Sequence, residues 1–145
     1  MELVIKKFED LSLFELYEIA KARQNVFIVE QNCAYQDLDD YDKRAIHVFF
    51  CESGKVLAYL RVLDKNTKFS EVSIGRIITT ERGKGLGAKI VQEGLKVAKS
   101  VYNAEMVLVG AQLYAKGFYE KQGFLKCSDV YLEDGIEHIY MRRKF

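Results

Sequence analysis

Arg82-Gly83-Lys84-Gly85-Leu86-Gly87-Ala88 places three glycines in five residues between a β-branched run, Glu71 to Thr79, and a stretch of helical period, Gly87 to Val101. In that stretch Ile90, Val91, Leu95 and Ala98 form one apolar stripe. Each glycine is entropically expensive to order, so this density at a strand-to-helix junction asks for a reason. Glycines let the backbone approach a ligand closely and turn several N–H groups the same way. The first helical turn adds unpaired N–H groups and the positive end of the helix dipole. Arg82 and Lys84 add full positive charge. The combination is a cradle for an anion the size of a pyrophosphate. The plainer alternative is a flexible turn with two solvated cations. A Walker A string is absent, and the spacing is GxGxG where a dinucleotide fingerprint needs GxGxxG.

The rest of the chain frames that junction. Leu3, Ile5 and Phe8 read as an edge strand, and Ser12 and Glu15 have capping-box spacing at the head of a helix running to about Val29. Glu30 to Arg44 reads as a polar, acidic loop. Strands are expected at Ile46–Cys51, Val56–Leu63, Glu71–Thr79, Met106–Val109, Leu125–Leu132 and Ile136–Arg142, with a helix at Gln112–Lys121. Glu52-Ser53-Gly54-Lys55 and Glu133-Asp134-Gly135 have hairpin composition. The order β-α-β-β-β-α-β-α-β-β predicts a mixed α/β layer architecture. At 145 residues the chain fits one domain, 1–145, which can bury roughly 70% of its extended surface without staples.

A net charge of +1 gives no global pull toward nucleic acid or anionic lipid, so neither is expected as a partner, and any anion must be held by a local site. Cys33, Cys51 and Cys127 are an odd set without CxxC, which suits reduced thiols and no metal site. Cys33 beside Asn32 reads as a small half-buried residue before it reads as a nucleophile. With no signal-peptide pattern and no run of about 18 apolar residues, the expected location is the cytoplasm. The exposed edge strand offers a way to pair two subunits.

RGKGLGAKI resembles the (R/Q)xxGx(G/A) pyrophosphate loop of GNAT acetyltransferases, and GFYEKQGF resembles that superfamily's fourth-helix element. RQNVFIVEQNCAYQDLD, AYLRVL, SIGRIIT, VGAQLYAKGFYEKQGF and YLEDGIEHIYM are similar to its ElaA-like branch, and these strings cover most of the chain. The resemblance implies the GNAT fold, with a mostly antiparallel central sheet and flanking helices. It also implies transfer of an acetyl group from acetyl-CoA (coenzyme A as co-substrate) to a primary amine on a small molecule or peptide. Coenzyme A would be held by Arg82, Gly83, Lys84, Gly85, Leu86, Gly87 and Ala88, with Ile77, Ile78, Thr79 and Gln112 along its pantetheine arm. Tyr119 matches the tyrosine that protonates the departing thiolate; read without the motif, Phe118, Tyr119 and Phe124 would simply pack. A non-catalytic acyl-CoA sensor is the alternative function.

The acceptor ammonium must lose a proton before attack, usually to a carboxylate, a histidine or a water they hold. Glu30, His47, Glu71 and His138 are the candidates, and Glu30 adjoins the polar loop expected on the acceptor side. Arg23 and Arg76 fit inward-facing arginines in the ElaA-like strings, able to bind a substrate carboxylate or to pair with Glu30. His138 is the remaining candidate substrate contact. Asp37, Asp39, Asp40 and Asp42 read either as a solvated loop or as a lure for a cationic amine, and they lack the spacing of an EF-hand.

Overall fold

The computed structural model describes residues 1–145. Chain order gives β1 (Glu2–Lys7), α1 (Leu13–Arg23), β2 (Ile46–Glu52), β3 (Lys55–Leu63), β4 (Ser73–Thr79), α2 (Leu86–Tyr102), β5 (Met106–Gln112), α3 (Lys116–Lys121), β6 (Leu125–Lys126), β7 (Tyr131–Glu133) and β8 (Ile136–Lys144). The sheet order is β1-β2-β3-β4-β5-β8-β6, with β7 also paired to β8. Every pairing is antiparallel except β4 with β5. The mixed α/β, mostly antiparallel architecture expected from the sequence is the one observed.

Strand alternation divides the core between the two faces of the sheet. Val48 and Phe50 of β2, Ala58, Leu60 and Val62 of β3, and Val107 and Val109 of β5 pack against Ile90, Val91, Leu95 and Ala98 of α2. The intervening Phe49 and Tyr59 point to the other face and meet Ile19, Ala22 and Val26. Each buried large aliphatic or aromatic side chain contributes about 1.5–3 kcal/mol, so the α2 stripe alone fixes how the glycine-rich junction sits over the sheet. Both hairpins form where their composition places them. Ser53 and Gly54, and Asp134 and Gly135, all have positive φ (51°, 75°, 52° and 76°), the twist that two-residue hairpin loops require.

Three elements depart from expectation. The first helix caps as predicted: Ser12 Oγ accepts from Glu15 N at 3.0 Å, and Glu15 Oε1 accepts from Ser12 N at 2.8 Å. Beyond Arg23, however, Gln24–Glu30 continues as a wider π-helical segment. Gln31 N reaches Val26 O at 3.2 Å and Cys33 N reaches Ile28 O at 3.3 Å. The strand expected over Leu125–Leu132 is two strands. Between them Ser128 Oγ accepts from Tyr140 N at 2.8 Å, so a side chain takes a donor that the ladder would have used. The segment Gln112–Lys121 is not one helix: Gln112 ends β5, Leu113–Ala115 make a 3₁₀ turn, and α3 follows. No helix is long and apolar enough to cross a membrane.

Candidate active site

The parallel pair β4–β5 is joined only at Ser73–Leu108 and Ile74–Val109. The cause is local. Gly75 lies opposite Arg61 and Ile78 opposite Tyr59, so β4 carries one more residue than β3 across this interval, a bulge. Arg76, inside the bulge, has φ of 51°, a left-handed conformation costing about 1–3 kcal/mol for a non-glycine residue. A bulge bends its strand. Here β4 turns away from β5, and the backbone groups on the facing edges of Gly75–Thr79 and Gly110–Gln112 are released from strand pairing.

The gap opens into a cavity of about 750 Å³. On one side it meets the glycine-rich junction through Thr79, Arg82 and Gly87, and on the other it is walled by Tyr35, Lys68, Glu133 and His138. Phe27 and Glu30 of the π-helical segment, with Gln31 just after it, also line the cavity. Gln31 Nε2 spans the gap to Gln112 Oε1 at 3.4 Å.

At the junction Gly83 and Gly85 have φ of 77° and 69°, and a Cβ built on either meets nothing within 4 Å. The backbone there is therefore both glycine-demanding and open above. Gly85 is the N-cap of α2 and supplies no side chain to cap it. The first intrahelical bond from Gly85 O is to Lys89 N, at 3.3 Å, so Leu86, Gly87 and Ala88 lie in the turn whose N–H groups have no carbonyl within the helix. Open, uncapped donors at the positive end of a 17-residue helix fit an anion. Leu86 anchors the turn by burying its side chain in the α2 core. Arg82 is exposed, bonded to Glu30 Oε2 (3.0 Å) and Thr79 Oγ1 (3.3 Å), and Lys84 pairs with Glu81. Such solvated pairs are weak and can yield to a phosphate. Ile77 and Thr79 line the cavity with their strand; Ile78 lines it too, although its side chain packs mainly against the α1 face.

Tyr119 of α3 lines the cavity and is nearly buried, edge-on to Phe118 (5.1 Å) and Phe124 (5.8 Å). Burial pushes its phenol well above the usual range, so it carries its proton at neutral pH. His138 also lines the cavity, stacked on Tyr131 at 5.7 Å. Its Nδ1 is 2.7 Å from Ile136 O. A carbonyl oxygen only accepts, so Nδ1 carries the hydrogen and Nε2 presents a lone pair. Nε2 is 3.5 Å from Glu133 Oε2, where protonation would be met by a carboxylate.

Arg23 is not at the cavity. It is 1% exposed and binds Asp37 (Nε–Oδ2, 2.9 Å) and Asp42 (Nη1–Oδ1, 2.7 Å), which corrects the expectation of a substrate contact or a pairing with Glu30. Arg76 does line the cavity. Its Nε lies 2.9 Å from Asp37 Oδ1, too oblique for a hydrogen bond, while Nη2 donates to Asp37 O (3.0 Å) and Asp39 Oδ2 (3.3 Å). Arg61 completes the set through Asp39 and Asp42. Asp37, Asp39 and Asp42 are thus neither a solvated loop nor a cation lure: they are the counter-charges of three arginines. Only Asp40 is exposed, beside Lys43 at 3.4 Å.

His47 is excluded from acid–base duty by the same cluster. Its Nε2 donates to Asp42 O (2.9 Å) and its Nδ1 accepts from Tyr59 Oη (2.6 Å). Glu71 is bound by Arg142 at 2.8 Å, away from the cavity. Cys33 is half-buried and its thiol meets Asp134 O at 3.4 Å. Tyr35, Lys68, Gln31 and Glu133 escaped the sequence reading. Lys68 sits alone in an irregular segment with no period to mark it.

A family model described as "Acetyltransferase (GNAT) domain" matches residues 15–145. A UPF0039 protein of Schizosaccharomyces pombe is 40% identical over 146 residues, covering 98% of this chain and 96% of its own. The crystal structure of an acyl-CoA N-acyltransferase from Pseudomonas aeruginosa superposes with a TM-score of 0.92 at 36% identity, covering 99% of both chains. The crystal structure of Escherichia coli ElaA also gives 0.92, at 34% identity, covering 99% of this chain and 100% of that one.

Proposed function

Because the chain belongs to the GNAT acetyltransferase family, we propose that it transfers the acetyl group of acetyl-CoA to a primary amine. The observation that carries this reading is the joining of two features in one cavity: an uncapped, glycine-lined helix start open to an anion, and a gap between β4 and β5 leading from it to Tyr119 and His138. Gly83, Gly85 and the first-turn N–H groups of Leu86, Gly87 and Ala88 would hold the pyrophosphate, with Arg82 and Lys84 neutralising it. Edge groups of Ile77, Ile78 and Thr79, with the Gln112 amide, would hold the pantetheine arm. When bound, acetyl-CoA supplies an acetyl group activated as a thioester.

The protein's own groups divide the remaining work. His138 Nε2 takes the proton of the acceptor ammonium, and Glu133 stabilises the imidazolium that results. Glu30 lies at the exposed mouth on the Arg82 side of the cavity, beside the groups that would hold the phosphates, so this role passes from Glu30 to His138. The backbone N–H groups of the β4 edge that β5 leaves unpaired would stabilise a developing negative oxygen. Tyr119 Oη holds a proton for the departing sulfur.

The test is free-thiol release from acetyl-CoA across a panel of primary amines, beside calorimetry with coenzyme A. Amine-dependent release is expected. Tight coenzyme A binding with no release on any amine would convert the assignment to a non-catalytic acyl-CoA sensor.

A further inference from the structure

The charge of the acceptor side is unevenly settled. Arg23, Arg61 and Arg76 are matched one for one by Asp37, Asp39 and Asp42, and this cluster closes on itself. Lys68 stands beside it without an ion pair or a hydrogen bond. Its ammonium is half-buried against two rings, 5.8 Å from the centre of Tyr41 and 5.5 Å from that of Phe69, and it lines the cavity. Burial, with Arg76 and Arg61 nearby, pulls its pKa below the ordinary lysine range, and the more distant attraction of Glu133 and Asp39 does not restore it. A cation held against aromatic and cationic neighbours with no carboxylate in contact lacks a counter-charge, and desolvating it costs free energy until one arrives.

The charge on the β7–β8 hairpin is of the other sign. Glu133 and Asp134 line the cavity, and neither is bonded to an arginine or a lysine. Glu133 touches only His138 Nε2, the group that would receive the amine's proton, and attracts Lys68 from a distance without pairing with it. One cavity therefore offers a cation without a partner and, at the site of deprotonation, carboxylates without a cation.

We infer that the acceptor is a small amine that also bears a carboxylate, with the carboxylate at Lys68 and the ammonium facing Glu133, Asp134 and His138. Amino acids and short peptides have this chemistry. Polyamines meet a repulsive ammonium at Lys68, and simple amines leave it unpaired. The inference rests on the acetyl-transfer reading for its direction, though not for its binding test.

Acetylation by the intact protein is measured by thiol release on α-amino acids, ω-amino acids and dipeptides, each beside its own carboxamide. The carboxylate forms are expected to exceed their amides in kcat/KM by about 10- to 100-fold, mostly through KM, the worth of one charge-assisted hydrogen bond. Lys68→Met should narrow that ratio to within about threefold, and Lys68→Arg should preserve most of it. Equal kcat/KM for acids and amides, or a ratio untouched by Lys68→Met, overturns the inference. If no amine is acetylated, the same acid and amide pairs are titrated calorimetrically onto coenzyme A-saturated protein. Preference for the acids that Lys68→Met removes sustains the carboxylate site and sinks acetyl transfer; no preference sinks the site as well.

Discussion

Replacing Asp42 by alanine removes one of three carboxylates that balance three arginines. Asp42 Oδ1 accepts from Arg23 Nη1 at 2.7 Å and from Arg61 Nη1 at 2.9 Å, and those arginines are 1% and 2% exposed. Breaking a buried pair by deleting one partner costs about 3–5 kcal/mol, because the surviving charge stays desolvated. The lower end applies here. Arg23 keeps Asp37, Arg61 keeps both oxygens of Asp39, and Asp42 Oδ2 has no partner to lose. An unfolding entropy of about 2.1 cal/mol/K per residue over 145 residues is about 0.3 kcal/mol/K, so a loss of about 3 kcal/mol lowers Tm by about 10 °C. Scanning calorimetry of wild type and Asp42→Ala at neutral pH measures this directly, and Asp42→Asn, which keeps the shape, should lose most of the same amount. A drop under about 3 °C in both would refute the reasoning, because the arginines would then be finding their compensation elsewhere.

Other outcomes follow from the same network and from the cavity. His47 is held neutral, chiefly by burial, so its folded pKa lies below the ordinary 6.5. The unfolded chain then binds the proton first; the associated stability is complete above about pH 6.5 and is lost as pH falls below it. Thermal melts between pH 7.5 and 5 should show that slope, flattened in His47→Gln. Asp39 acts in a lower window. Burial opposes its ionisation, but the hydrogen bond and charge of Arg61, with Arg76, outweigh this and depress its pKa below 3.8. Its contribution is present above that value and lost as pH falls below it, visible as acid unfolding that Asp39→Asn makes less steep. Tyr119→Phe should leave coenzyme A affinity intact and slow turnover by about 10- to 10⁴-fold, read by thiol release against calorimetry; unchanged turnover would remove Tyr119 from proton transfer. His138→Gln should slow turnover by about 10²- to 10⁴-fold with little change in coenzyme A affinity, and normal rates would return the proton-accepting role to another group.

Local chemistry carried most of the fold into view. The Ser12–Glu15 box, the two positive-φ hairpins and the α2 stripe are each decided by residues within a turn or two of one another, so sequence spacing reports them. The splay of β4 from β5 is different. It depends on Arg76 adopting a left-handed conformation, and that is sustained by Asp37 and Asp39 nearly forty positions earlier in the chain. No local pattern announces such a pairing, which is why an acidic stretch looked solvated while being largely internal. The π-helical segment Gln24–Glu30 is similarly silent, since its apolar positions fit an α period nearly as well. At the site, the glycine-rich junction was legible because glycine has few other uses there. Lys68 and Glu133 were not, because the meaning of each comes from neighbours that only the assembled cavity reveals: two rings and no touching carboxylate for Lys68, His138 for Glu133.

The claim on which the account turns is that residues 82–88 hold a diphosphate. Titration calorimetry of the unmodified protein with coenzyme A and with pantetheine, which shares the thiol arm but lacks the diphosphate and the adenosine 3′-phosphate, bounds that contact from above. Coenzyme A is expected to bind at least about 100-fold more tightly, with the difference shrinking as salt rises. Equal affinity for the two compounds would contradict the account, since the anion cradle would then contribute nothing.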